Sequence, residues 1–274
     1  MKAWDQRFAE RSPLLWPLRG VARQIAGSAW PELSLLQQWL ERAEVRTAAG
    51  VPLRLVAPAG GTPYEIRLYA RGELEFRAQN WHDLFNVLIW LLFPRAKAAL
   101  NARHHAAFAM AQAGGGRGAV RDALTLFDED GIIVLAADPA LLQMVRDFQW
   151  KSLFWTRRAD VVAGMRFLPF GHALCEKTLA PYQGMTGRGL LLDVDAGWLE
   201  LAPAEQIARV DILVAQRIAD PAALQRTRDL APVPVLGIPG WCAANERAEY
   251  YDDSNYFRPG RSRRPATRHP ADAA

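Results

Sequence analysis

Residues 80–105 read NWHDLFNVLIWLLFPRAKAALNARHH, and the central ten, 84–93, are apolar at every position except Asn86. Such a run must leave water, which offers two destinations. A membrane-spanning helix needs about 20 apolar residues, so ten predict a helix buried in a protein core. Its limits are marked in the sequence. Asn80 is a favourable N-cap, and Asp83 in the first turn suits the positive end of the helix dipole. Pro94 ends one helix near Phe93 and opens the next, which continues to about Gln112. Asn80, His82, Asp83, Asn86, Asn101, His104 and His105 surround this core segment. Polar groups withdrawn from water cost free energy unless paired. These side chains are therefore expected to form a common network, and a network at the edge of a core can wall a pocket.

Elsewhere the pattern mixes helices with short strands. Ser12-Pro13 and Trp30-Pro31 open helices in the first sixty residues, the second running to about Arg42. Residues 51–56 are a short apolar strand candidate. Tyr64, Ile66, Leu68 and Ala70 alternate with Glu65, Arg67, Tyr69 and Arg71, the period of a half-buried strand. Gly72 permits a reversal into 74–78, which predicts a β-hairpin. A second hairpin is predicted from 124–127 and 132–136 around the turn Asp128-Glu129-Asp130-Gly131. Gly114 to Gly118 is a flexible break. Helices are expected at 139–150, 171–179, 203–218, 221–229 and 243–251, and a strand at 190–194. An irregular extended segment is expected where Pro232, Pro234, Gly237, Pro239 and Gly240 cluster. Strands that come as hairpins, rather than alternating with helices, predict an α+β fold. The expectation is a mostly helical single domain over residues 1–257, with a small antiparallel sheet built from hairpins. A disordered arginine-rich tail, 258–274, follows.

Charge excludes more than it suggests. The formal +4 is carried entirely by the tail, with arginines at 258, 261, 263, 264 and 268 against Asp272, so residues 1–257 sum to zero. A nucleic-acid groove requires basic residues clustered on the folded body, and the net balance points to none. The tail alone could touch anionic surfaces weakly and in a salt-dependent way. Cys175 and Cys242 cannot make a disulfide framework, and neither sits in a CxxC pair. Asp5, Arg7, Glu10 and Arg11 stand where a secretory leader needs an apolar core. The expectation is a soluble cytoplasmic protein with no membrane partner. Gly114, Gly116 and Ala119 match GxGxxA in letters only, because they follow a helix and precede a predicted strand. The sequence contains no P-loop, GxSxG elbow or paired CxxC set.

Candidate chemistry centres on two four-residue spacings. His82 and Asn86 share a helix face, with Asp83 beside them. That is the arrangement of a base or metal ligand oriented by a carboxylate. The competing account makes Asn80 and Asp83 caps around a hydrogen-bonded histidine. His172 and Glu176 in FGHALCEK have the same spacing, with Cys175 and Lys177 adjacent. They could be two ligands for one metal or an ordinary ion pair along a helix. Lys97, Asn101 and His104 line a helix face that could receive a phosphate or carboxylate, or simply be solvated. Two acidic groups, Asp128-Glu129-Asp130 and Asp252-Asp253, could hold a divalent cation. The first reads foremost as a turn. The second is the stronger candidate, because Tyr250, Tyr251, Tyr256 and Phe257 argue that it docks on the body and could bring its carboxylates to the histidines.

Four segments together resemble a bacterial family, the domain of unknown function numbered 3025. They are NWHDLFNVLIWLLFPRAKAALNARH (80–104), RDALTLFDEDG (121–131), FGHALCEK (170–177) and GIPGWCAANERAEYYDDSNYFRP (237–259). The resemblance spans nearly the whole chain outside the extreme N-terminus and the tail. It implies a single-domain bacterial protein and carries no activity. The family pattern often has a second aromatic where this chain has Cys242. The residues themselves point to a hydrolase-like enzyme acting on a small molecule. In that reading His82, Asp83, His172, Glu176 and Lys177 serve catalysis. Asn86, Asn101, His104, Asp252 and Arg258 bind ligand, and a divalent metal is the candidate cofactor. The alternative is a non-catalytic binding or scaffold protein whose polar network only fixes the fold.

Overall fold

The computed structural model describes residues 3–25, 27–112 and 118–260. In chain order it begins with α1 (Arg19–Ala22), α2 (Leu33–Arg42), strand β1 (Arg54–Val56), α3 (Tyr64–Arg71) and β2 (Glu73–Glu75). The first predicted hairpin is not formed, because residues 64–71 are helical. Pro63 at the N-cap and left-handed Gly72 (φ 67°) at the C-cap bound this helix, the usual proline-start, glycine-stop asymmetry. Tyr64 and Leu68, read above as alternate strand positions, are also one helical turn apart. A Cβ on Gly72 would lie 2.1 Å from Pro52 O, so this glycine both stops the helix and admits β1. The strand after it pairs with β1 in parallel, Arg54 opposite Glu73.

The central segment follows its predicted plan. Helix α4 (Trp81–Leu92) is capped by Asn80, whose Oδ1 accepts the Asp83 N–H at 3.0 Å. Pro94 opens α5 (Pro94–Gln112). Leu84, Phe85, Val87, Leu88, Ile89 and Trp90 are all buried in the larger of two hydrophobic clusters. The start of α5 is capped from a distance, by Asp211, which accepts the N–H groups of Arg95 at 3.1 Å and Ala96 at 2.8 Å.

The second predicted hairpin is also absent. Residues 119–130 form α6 (Ala119–Asp130), and β3 (Gly131–Ala136) follows with no intervening turn. Ala123, Leu124 and Phe127 recur at helical spacing and are the buried face of α6. After it come α7 (Pro139–Arg146), α8 (Arg158–Gly164), β4 (Met165–Pro169), α9 (His172–Lys177) and β5 (Thr186–Asp193). The described chain closes with α10 (Ala196–Leu199), α11 (Pro203–Ala219) and β6 (Ala231–Pro234).

Four strands make a sheet in the order β4-β3-β5-β6. It is mixed rather than antiparallel throughout: β3 runs antiparallel to β4 but parallel to β5, and β5 runs antiparallel to β6. No hairpin contributes to it, since helices separate β3, β4 and β5 in sequence. Every residue of β3 is buried, as a central strand covered on both faces requires. Ile133 and Leu135 face the larger cluster, while Ile132, Val134 and Ala136 face the smaller. The result is a mostly helical α+β single domain. The segment predicted as a helix at 243–251 is two short 3-10 turns, Ala243–Glu246 and Ala248–Asp252. It does dock on the body. Tyr256 Oη donates to Met185 O and accepts from Leu236 N–H, both at 2.8 Å, and Tyr251 Oη donates to Gly237 O at 2.9 Å. No described helix is long and apolar enough to cross a membrane. The predicted flexible break at 114–118 falls, apart from Gly118, outside the described residues, as does the predicted disordered tail beyond Gly260.

Candidate functional site

Four helices meet around a cavity of about 250 Å³. The first two turns of α4 supply His82, Asp83 and Asn86, and the inward face of α5 supplies Lys97, Asn101 and His104. The last turn of α6 supplies Asp128 and Glu129, and α9 opens with His172. The approach of α9 to α6 depends on one residue. Gly171 donates its N–H to Gly131 O at 2.8 Å. A Cβ there would lie 2.3 Å from both Glu129 O and Gly131 N. Only glycine lets the backbones close to this distance and carries His172 to Glu129.

The two predicted histidines, 90 residues apart, are in contact: His82 Nε2 and His172 Nε2 are 2.9 Å apart. Glu129 Oε2 lies 3.6 Å from His172 Nε2 and 4.0 Å from His82 Nε2. Behind the pair, Glu176 Oε2 is 3.5 Å from His82 Nδ1. His172 is buried, 5 % exposed, whereas His82 and Glu129 are 33 % and 40 % exposed toward the cavity mouth. Burial lowers the His172 pKa to about 3, with Lys97 and His82 pushing the same way and Asp128 and Asp83 opposing. The imidazole is therefore neutral at neutral pH. Burial raises the Glu129 pKa, an effect offset by His82. His172 Nδ1 is buried with no hydrogen-bond partner among the described residues. A proton on the other nitrogen, donated from His172 Nε2 to His82 Nε2, fits that environment.

The remaining predicted residues divide between the cavity and elsewhere. Asp83 is held by Arg77, accepting from its backbone N–H at 2.7 Å and from Nε and Nη2 at 2.8 Å. Asn86 accepts from Lys97 Nζ at 3.0 Å, and Lys97, 3 % exposed, pairs with Asp128. Burial works to raise the Asp128 pKa, but the Lys97 charge and hydrogen bond leave it below the usual range. Asn101 Nδ2 donates to Glu65 O at 3.1 Å. Burial lowers the His104 pKa. Lys177 pairs with Asp130. Cys175 is fully buried, and burial pushes its thiol up, so it stays a protonated packing residue beside the site. Asp252 and Arg258 do not reach the cavity. Asp252 pairs with Lys151 at 2.6 Å on the surface, and Arg258 lines a different cavity. The docked C-terminal segment therefore brings no carboxylate to the histidines. Glu129, from the acidic run read as a turn, takes that place. Tyr64 and Glu65 also line the cavity and had no sequence signal.

Five carboxylates line the cavity, Glu65, Glu75, Asp83, Asp128 and Glu129, against two permanent cations, Arg77 and Lys97. Both cations are already paired, with Asp83 and Asp128. Of the other three carboxylates, Glu75 pairs with Arg67, and Glu129 stands beside His82 and His172. Together Glu129 and the two histidines offer ligand atoms that all lie within 4.8 Å of one another.

Residues 53–261 match the profile of a family described as Protein of unknown function (DUF3025). The chain belongs to this family. No curated protein matches the DUF3025 chain, and no solved structure does.

Proposed function

We propose that this member of the DUF3025 family is a hydrolase-like enzyme whose centre is a divalent cation held by His82 Nε2, His172 Nε2 and Glu129 Oε2. One observation carries the reading: the three ligand atoms are separated by 2.9, 3.6 and 4.0 Å. Tetrahedral ligands at zinc-like bond lengths stand about 3.4 Å apart, so the triad needs little adjustment to close on an ion. Three protein ligands with an open remaining position is the pattern of catalytic rather than structural zinc. A bound cation supplies an acidified water and a Lewis acid for the substrate carbonyl or phosphoryl oxygen. The chain contributes the rest. Neutral His172 has no charge to lose on ligation, which would move its proton from Nε2 to Nδ1. Glu176 stands behind His82 Nδ1, where it can hold the ring orientation. The acidic lining favours cation uptake.

The competing reading is a non-catalytic binding or scaffold protein whose polar network only fixes the fold. Two facts favour it. Asp83 and Lys97 are consumed by structural pairs, and His172 Nδ1 has no described acceptor to hold the metal-binding tautomer. Elemental analysis of purified protein separates the two. The enzyme reading expects stoichiometric zinc or manganese, lost in His172→Ala and Glu129→Gln, with hydrolysis of chromogenic ester or phosphoester probes lost in parallel. Folded protein that neither retains added zinc or manganese nor is thermally stabilised by it rejects this centre.

A further inference from the structure

A second cavity, of about 960 Å³, opens at the β5–β6 end of the sheet. Its walls come from places distant in sequence: Tyr182, Thr186 and Arg188 before and on β5, Arg228 ahead of β6, and Asn255 and Arg258 in the C-terminal segment. Thr186 and Arg188 stand opposite Pro234 and Pro232 in the antiparallel register, so these four share a sheet face.

Charge here is of one sign. Three guanidiniums line the cavity, and among the described residues no aspartate or glutamate does. Among the described residues none of the three makes an ion pair, and Arg258 Nε donates only to Asn255 O, at 3.1 Å. Like charges gathered around one concavity repel. The body has carboxylates enough to balance its cations, since residues 1–257 sum to zero. A bound anion would relieve the repulsion that this segregation creates.

We propose that this cavity binds a small phosphorylated ligand, with Arg188, Arg228 and Arg258 holding its phosphate groups. Guanidinium forks match phosphate oxygens bidentately. Tyr182, 53 % exposed, offers a ring face for the organic part of the ligand. The volume falls within the range of about 300–1,000 Å³ usual for small-molecule sites. Two other occupants fit less well. A peptide strand cannot add to the free edge of β6: Val235 N–H turns inward to Met185 O, so by alternation the nitrogens of 232 and 234 face outward, and both belong to prolines. A long polyanion would leave the cavity for a surface whose charges balance. The site stands apart from the histidine cavity and does not depend on the reading of it.

Calorimetric titration of the full-length protein with tripolyphosphate, in the presence of a chelator, tests the assignment. Binding is expected at low ionic strength and should weaken as salt rises. Arg188→Gln and Arg228→Gln should each weaken it about tenfold with unchanged thermal midpoints; Arg228 is exposed, so its variant keeps the fold. A full-length variant with Arg261, Arg263, Arg264 and Arg268 all changed to Gln should bind as the parent does. No binding by the parent, undiminished binding by both single variants, or loss of binding in the tail variant would each overturn the proposal. So would a short oligothymidylate that binds more tightly than tripolyphosphate and is lost in the same single variants, which would make the cavity a nucleic-acid groove.

Discussion

At the scale of single residues, His172 has the clearest measurable consequence. Its pKa in the folded protein is about 3, below the value of about 6.5 expected in the unfolded chain. The unfolded chain therefore binds this proton below about pH 6.5, while the folded protein resists it until near pH 3. Stability is complete above that window and declines as pH falls through it. Urea midpoints measured in chelator from pH 8 to pH 5 should fall, and the fall should be shallower in His172→Gln. A residual slope remains from His104, which burial shifts in the same direction. An equal slope in parent and variant would contradict the burial argument. The histidines were legible in the sequence because a polar residue in an apolar run is conspicuous. Glu129 was not. It sits among Asp128, Asp130 and Gly131, a string that is also a good turn, and only the helical spacing of Leu124 and Phe127 before it betrays that the chain is still in a helix.

At the scale of elements, the site depends on how helix ends are brought together. Gly171 is the closest approach, and Gly171→Ala should cost about 1–3 kcal/mol by forcing α9 away from the end of α6. Chemical denaturation would measure the cost, and zinc affinity should weaken with it because His172 moves off Glu129. Unchanged stability would show that the two backbones can separate freely. Asp211 offers a second handle, since it caps α5 from a different helix. Asp211→Ala leaves the N–H groups of Arg95 and buried Ala96 without their acceptor and should cost about 1–2 kcal/mol, read as a lower urea midpoint with unchanged slope. The caps and prolines that delimit α4 and α5 were readable because their chemistry is local. The first hairpin fails for the opposite reason: a period-two pattern over eight residues does not distinguish a strand from a helix with its own proline and glycine ends. The decisive contact, Gly72 against Pro52, is tertiary.

At the scale of the whole molecule, charge is arranged rather than absent. One cavity is lined by five carboxylates and another by three arginines that make no ion pair among the described residues, yet residues 1–257 sum to zero. Net charge is silent about such separation, which is why composition gave no hint of either site. The parallel pairing of β3 with β5 has a different consequence, for the order of events in folding. Ile133 meets Leu190 across 57 residues of chain, and contacts of that span form late and slowly. The triad is similarly dispersed, at 82, 129 and 172, so no fragment of the nascent chain can assemble it. A cation would thus arrive after the rate-limiting step. Zinc should slow unfolding in stopped-flow experiments while leaving the refolding rate unchanged; accelerated refolding would mean that the triad forms in the transition state. In a chain built this way the sheet has to be finished before any cation could bridge the triad, so an ion there would hold closed a structure it had no part in closing.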